Sequence, residues 1–372
     1  MLYSQEAREY ALWAVWVACS CAALLRAIRR DAEGTGRSKL AWVAFSLATV
    51  AGLYTSFSMV AVSLAQAVFV AIRERGRPTR IVLRTAVALA GAGLAFLPWI
   101  TGFLEAFDRF QATMTWSERI EIPRLQLLQE LGINVARTLV DFWPDPEGLL
   151  PGAVTACAAG LILLAIRRTA RVPDTGLLPA LVLVVPIASL LLPDLVFGGI
   201  RSISARYLTP AWVVSVAALA CLPWIGQARK WTGTLLVAAL AVGIASNIAG
   251  AGRDVTWTKG ISRGLPEVAE RVNQAESPLV IGNEERYNPG NLLALAVLLK
   301  PDANMQLLKI AAEKDHVLPP HPGEVFLFTP TDPFRHALEV RESVGTRLVF
   351  RDLHLDLWRI ERPARTTTRT TP

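Results

Sequence analysis

The sequence predicts a polytopic α-helical membrane protein with a C-terminal extracytoplasmic α/β domain. Three observations predict it. Of the 372 residues, 52% are hydrophobic and only 19% charged, against about 25% charged in an average soluble domain. Apolar runs close to bilayer length recur through the first 250 residues. The short loops between them alternate between strongly basic and weakly basic, which is the pattern of a chain threaded repeatedly across a membrane.

About 20 helical residues cross ~30 Å of hydrocarbon. Runs of about that size are Tyr10–Ile28, Leu40–Thr55, Phe57–Ile72, Ile81–Leu104, Pro151–Ile166, Leu177–Leu192, Leu208–Ile225 and Trp231–Ala249, or about eight transmembrane helices. The second and third are contiguous. One helix through both would overshoot a bilayer, so Leu53-Tyr54-Thr55-Ser56 is expected to form a tight hairpin. RAIRRDAEGTGRSK, RERGRPTR, RRTAR and QARK follow the first, third, fifth and seventh runs. The positive-inside rule puts these basic loops in the cytoplasm. The amino terminus, the 105–150 loop, the Pro193–Tyr207 segment and everything after the last run then lie outside.

Residues 1–250 therefore form the membrane domain, and from about Gly250 the composition changes. Apolar runs shorten to strand length at Pro278–Gly282, Met305–Ile310, Glu324–Thr329, Arg347–Phe350 and Leu355–Ile360. Helix-like stretches alternate with them at Ile261–Gln274, Asn291–Leu299 and Asp332–Ser343. Such alternation predicts a small α/β domain over 251–362, and 363–372 (RTTTRTTP with its flanks) is expected to be a disordered tail.

The net charge of +7 is read as topological rather than as a nucleic-acid footprint, because the arginines lie between apolar runs. The four cysteines, Cys19, Cys21, Cys157 and Cys221, all sit inside apolar runs and read as buried, reduced packing residues. There is no glycine-rich phosphate loop, HExxH, GxSxG or CxxC. The four histidines lack ligand spacing, so no metal site is expected. No cofactor is called for; a divalent metal is compatible with the chemistry but unsupported by any ligand pattern.

Candidate chemistry is confined to polar residues at outer helix ends. In YSQEAREYALW, Glu6, Glu9 and Tyr10 share a helix face at spacings of three and four, with Arg8 pointing away from it, closer to Gln5. An acid there is either a helix-dipole partner or a reactive carboxylate at the membrane surface. In PDLVFGGIRSISARYLTP, Arg201 and Arg206 stand on the outer side against the charge bias, followed by Tyr207. They read as an interfacial Arg-Tyr anchor or as guanidinium groups binding a phosphate bidentately. The 105–150 loop carries Trp116, Glu118, Arg119, Glu121, Asp141, Trp143, Asp145 and Glu147, which suit either sugar packing or an aromatic belt. Asn283, Glu284, Glu285 and Arg286 follow a predicted strand, where open α/β sheets bind ligands, or form a solvated turn.

QEAREY before a membrane run, RYLTP before a late one, and a tail reading TWTK, PLVIGN, EVFLFTP and DLWRI together resemble the family 39-type bacterial membrane glycosyltransferases. These are relatives of the dolichyl-phosphate-mannose protein mannosyltransferases in the C-type superfamily. The resemblance covers essentially the whole chain. It implies inverting transfer of a sugar from a polyprenyl-phosphate-linked donor to a protein, lipid or glycan acceptor, on the outer face of the cell membrane. A loop carboxylate would be the general base, and basic residues would stabilise the departing lipid phosphate. Carried over by motif, Glu6 matches the second acid and Arg206 the phosphate-side arginine. Arg8 on the catalytic side, Arg201 and Tyr207 on the phosphate side, and Trp116 and Glu118 as acceptor or sugar contacts join them from the reading of the residues alone. In the family the principal acid lies on an earlier outer loop. The chain is therefore expected to be an amino-terminally incomplete member, without that acid.

Two alternatives accompany this reading. A lipid-linked sugar transporter would need polar residues at mid-span, where Gln66 and Asn247 are the main ones. A non-catalytic accessory relative shares every motif quoted.

Overall fold

The computed structural model describes residues 9–34, 38–107, 122–141, 149–225, 229–251, 262–285, 288–313, 315–352 and 354–361. The chain divides into two compact units, Met1–Ala251 and Gly252–Pro372.

The first unit is helical: α1 (Tyr10–Ala32), α2 (Ser38–Thr55), α3 (Met59–Arg73), α4 (Arg80–Glu105), α5 (Arg124–Ala136), α6 (Leu149–Thr169), α7 (Leu177–Phe197), α8 (Thr209–Cys221) and α9 (Arg229–Ala251). Among the described residues, six helical segments are long and apolar enough to cross a membrane: Tyr10–Ala32, Arg80–Glu105, Gly152–Thr169, Leu177–Phe197, Ala205–Trp224 and Trp231–Ile248. The expectation of about eight included α2 and α3, which fall short. With 15 residues, α3 is only about 22 Å long at ~1.5 Å per residue. The more polar α2 carries Ser38, Lys39, Ser46, Thr49 and Thr55.

The break between α2 and α3 lies at Ser56–Ser58, overlapping the expected hairpin only at Ser56, because Leu53, Tyr54 and Thr55 are still helical. It is closed by Ser56 N donating to Gly52 O at 2.8 Å and Met59 N to Ser56 O at 3.0 Å. Past it, α2 packs mainly on α1 and α4, while α3 packs mainly on α7. Gly52, in the last turns of α2, leaves room for Met59: a Cβ there would lie 2.8 Å from the Met59 Cγ and that side chain would have to shift.

Core packing follows one stripe of each helix. Trp13, Val17, Leu24 and Ala27 of α1 are fully buried, with Phe45 of α2, Met59 and Val62 of α3, and Ile162 of α6. The opposite stripes expose Leu40, Leu47, Leu83, Leu94, Val196 and Ile248, so these helices are apolar on both sides, a pattern compatible with lipid contact. The cysteines follow this rule against expectation. Cys19, Cys157 and Cys221 are exposed and Cys21 partly so, all free. In helices apolar all round, sequence does not distinguish burial in protein from exposure to lipid.

The two mid-span polar residues differ: Gln66 is buried with its Oε1 lacking a hydrogen-bond partner among the described residues, whereas Asn247 is exposed. Gln66 is fully buried and its Nε2 donates to Ser20 Oγ at 2.9 Å, joining α3 to α1. Asn247 donates to the Gly243 carbonyl of its own helix at 2.8 Å. The first contact joins two helices and the second closes on one helix.

The second unit is a five-stranded sheet of β1 (Leu279–Asn283), β2 (Asn304–Leu308), β3 (Val325–Phe328), β4 (Gly345–Arg351) and β5 (Asp356–Glu361), in the order β2-β1-β3-β5-β4. β1 runs parallel to β2 and β3; β5 is antiparallel to both β3 and β4. The intervening helices are α10 (Leu265–Asn273), α11 (Asn288–Leu298), the single turn α12 (Ile310–Glu313) and α13 (Asp332–Glu342). Strand alternation divides the core. Val280, Phe326 and Phe328 pack on α10 and α11; Leu279, Ile281, Val325 and Leu327 pack on α13. Gly282 lets α11 close on the sheet, since a Cβ there would lie 2.5 Å from Leu292 Cδ1.

Candidate functional site

The 3-10 turns Arg201–Ile203 and Ala205–Leu208 join α7 to α8. Their placement starts with Asp194, in the last turn of α7 behind Pro193. The carboxylate is fully buried at the negative end of a helix dipole, where an isolated acid is disfavoured. Its charge is met from the chain that follows. Arg201 Nη1 donates to Oδ1 at 3.0 Å, and the Ser202 backbone N–H donates to Oδ2 at 2.7 Å. The return is made by Gly198 and Gly199, whose φ values of 81° and 112° favour glycine strongly. Arg201 also donates to the Gly198 carbonyl at 3.2 Å.

Arg206 and Tyr207 occupy the second turn. The Arg206 guanidinium carbon lies 5.0 Å from the centre of the Tyr207 ring, within cation–π range. Thr209 Oγ1 donates to the Arg206 carbonyl at 2.9 Å, at the start of α8.

α5 closes the site from the side. Asn134 is buried, and its Nδ2 donates to the Ile203 carbonyl at 2.6 Å. Its own carbonyl accepts from Trp212 Nε1 of α8 at 2.9 Å. Arg137 donates to Asn134 Oδ1 and pairs with Asp141 at 3.6 Å. Asp141 is tied to α9 by its N–H donating to Ser246 Oγ at 2.8 Å. Side-chain and backbone contacts thus link the ends of α5, α7, α8 and α9, with Arg137 and Arg201 in them and Arg206 in the adjoining turn.

The opposite helix ends gather basic loops. Arg84 of α4 pairs with Asp31 of α1, and Arg73 of α3 lies 3.9 Å from Asp174 in the α6–α7 turn. The candidate site and the basic loops thus occupy opposite ends of the bundle. An aromatic ladder marks the site's end of α4. Phe96 stacks on Trp99 at 5.0 Å and Trp99 on Phe103 at 5.4 Å, with Phe57 from the α2–α3 turn stacked beside Trp99 at 6.4 Å.

Of the residues expected to act, the structure joins Arg201, Arg206 and Tyr207 in one segment. Glu6, Arg8, Trp116 and Glu118 lie outside the described residues. Sequence reading passes over Asn134, Arg137 and Asp194. The available signal was an acid inside an apolar run, Asp194, seven positions before an arginine with a Gly-Gly between.

In the second unit, the C-terminal end of β1 is filled from within. Asn283 is buried and its Nδ2 donates to Glu313 at 2.7 Å, while Asn288 donates to Asn283 Oδ1 at 2.6 Å. Thr331 Oγ1 donates to the other Glu313 oxygen at 3.0 Å. The Glu313 carboxylate is satisfied by the fold itself, and Asn283 belongs to this internal polar lock, while Glu284 next to it is exposed and Arg286 lies outside the described residues. Among the described residues no three His, Cys, Asp or Glu side chains converge as metal ligands.

Comparison with protein-family models, with curated proteins and with solved structures finds no match to this chain.

Proposed function

We propose that the chain is a membrane glycosyltransferase, or the larger part of one. In this reading a sugar moves from a polyprenyl-phosphate-linked donor to a protein, lipid or glycan acceptor on the outer face of the cell membrane. The observation that carries the reading is the arginine-bearing turn pair between α7 and α8, held at the bundle end opposite the basic loops. Topology alone gives no reason for arginine there. A lipid phosphate leaving at that depth needs fixed positive charge, aligned before the reaction so that no reorganisation is required.

The division of labour is unequal. Arg201 is engaged by Asp194 and is a positioning residue that sets the turn. Arg206, stacked on Tyr207, is the phosphate contact. Arg137 brings a third guanidinium to the same layer, through Asn134. Glu6 and Arg8 serve the acceptor side in this proposal, with Trp116 and Glu118 on the sugar. About eight crossings, counting α2 and α3, put the α/β unit outside.

The test is transfer by the full chain in liposomes supplied with radiolabelled polyprenyl-phosphate sugars, read as release of the free lipid phosphate. Arg206→Gln is expected to lower release at least tenfold, roughly the effect of losing one charged contact to the leaving group, with the thermal melt unchanged. No release by wild type from any donor, at retained fold, sinks the catalytic reading. A reporter fused after Ala251 that is active only in the cytoplasm would overturn the orientation.

A second reading is favoured by one observation: a buried acid already engages Arg201, leaving less cationic capacity for a leaving group. A non-catalytic relative would bind the lipid phosphate through Arg206 without releasing sugar. Equal donor binding by wild type and Arg206→Gln would remove this reading as well.

A further inference from the structure

At the basic end of the bundle, away from the site above, a cleft of about 480 Å³ opens between α1, α2 and α4. It is lined by Asp31, Lys39, Thr79, Arg80 and Arg84, among others. The acid is already engaged: Asp31 accepts from Arg84 and from Trp42 Nε1 at 3.1 Å. Arg84 also donates to Ser38 Oγ at 3.3 Å. That set fixes the cleft wall and cancels one positive charge. Lys39 and Arg80 remain, both exposed and with no acidic partner among the described residues. Two uncompensated cations lining one concavity favour an anion within it.

The chemistry of that anion follows from the donors. An ammonium is a compact point charge and a guanidinium a planar fork; both are suited to phosphate oxygens. The cleft sits where α1 ends and α2 and α4 begin. We propose that this cleft binds a phosphate group, supplied by an anionic lipid headgroup or by a soluble phosphate. The proposal stands whether or not the chain transfers sugar.

The full chain in a neutral maltoside detergent is melted alone, with phosphatidic acid, and with inorganic phosphate against chloride of equal ionic strength. Wild type is expected to gain several degrees in Tm with one of them. The double variant Lys39→Gln/Arg80→Gln should need at least about fivefold more ligand for half the gain, as loss of one charge-assisted contact predicts. Arg167→Gln/Arg168→Gln, at the same end but outside the cleft, should behave as wild type. A gain from phosphatidic acid alone assigns the site to a headgroup; a gain from inorganic phosphate assigns it to a soluble anion. No gain in wild type overturns the proposal. So does an equal gain in the Lys39/Arg80 variant, or an equal loss in the Arg167/Arg168 control.

Discussion

Asp194 occupies a position where a lone carboxylate would be costly: no side-chain exposure, the wrong end of a helix dipole, and apolar helices around it. It persists because both of its oxygens are matched, one by Arg201 and one by the Ser202 N–H. Removing one member of a buried pair costs about 3–5 kcal/mol, mostly the stranded partner. Arg201 keeps 20% of its side chain exposed, so water recovers part of that cost. Asp194→Ala is therefore expected to lose about 3 kcal/mol, measurable as a lower Tm in detergent. Arg201→Met should lose a similar amount by stranding the acid, and the double variant less than the sum of the two. Additive losses would show the pair to be incidental. His316 gives a residue-scale prediction in the other unit. Burial, then the nearby Arg341, holds its pKa below the ordinary 6.5, while Glu342 opposes them. The unfolded chain takes up the proton first as pH falls. Stability of the α/β unit should thus be full above about pH 6.5 and decline as pH drops from there towards the lowered folded value. Urea midpoints across that range check it, and His316→Gln should flatten the profile.

Among the elements, α9 is held to the 137–141 segment through Gly243 and Ser246. A Cβ on Gly243 would lie 2.6 Å from the Leu139 carbonyl oxygen, a backbone atom with no rotamer to move. Ala would gain up to about 1 kcal/mol in helix propensity, against about 1–3 kcal/mol for overpacking, so Gly243→Ala should destabilise on balance. Faster amide exchange is expected in α9 and around Asp141, where the Ser246 contacts lie. The elements differ in how far sequence reveals them. The five strands were legible to within about three residues, because a strand covered on both faces reads as a short unbroken apolar run. Leu279-Val280-Ile281 and Val325-Phe326-Leu327-Phe328 are of this kind. The order β2-β1-β3-β5-β4 was not legible, since β5 inserts between β3 and β4 through tertiary pairing alone. The long membrane helices were legible from hydropathy. Within the site, Arg201, Arg206 and Tyr207 stood out because arginine ran against the charge bias. Asn134 and Arg137 did not, because polar residues on an amphipathic loop helix look like any solvated face.

At the scale of the whole molecule, the two units are built on different solvents. The helical unit turns apolar stripes outward; the α/β unit has a core on each face of its sheet, drawn from its own residues. Residues 262–361, expressed alone, are expected to fold, with dispersed amide resonances and one cooperative urea transition. A collapsed spectrum would mean that the helical unit is needed for its core. The short helix α3 has a further consequence, which falls on the lipid. Aromatic Phe57 and the Trp99–Phe103 ladder stand at one end of α3, and Arg73 at the other. The span between these anchors is about 22 Å, less than the ~30 Å of an average hydrocarbon core. A bilayer crossed by α3 would have to thin along this side of the bundle to meet both anchors, at a fraction of a kcal/mol per Å. The protein would then be a local sculptor of membrane thickness, concentrating short or fluid chains against α3. Its melting temperature should be higher in shorter-chain phosphatidylcholines than in longer ones.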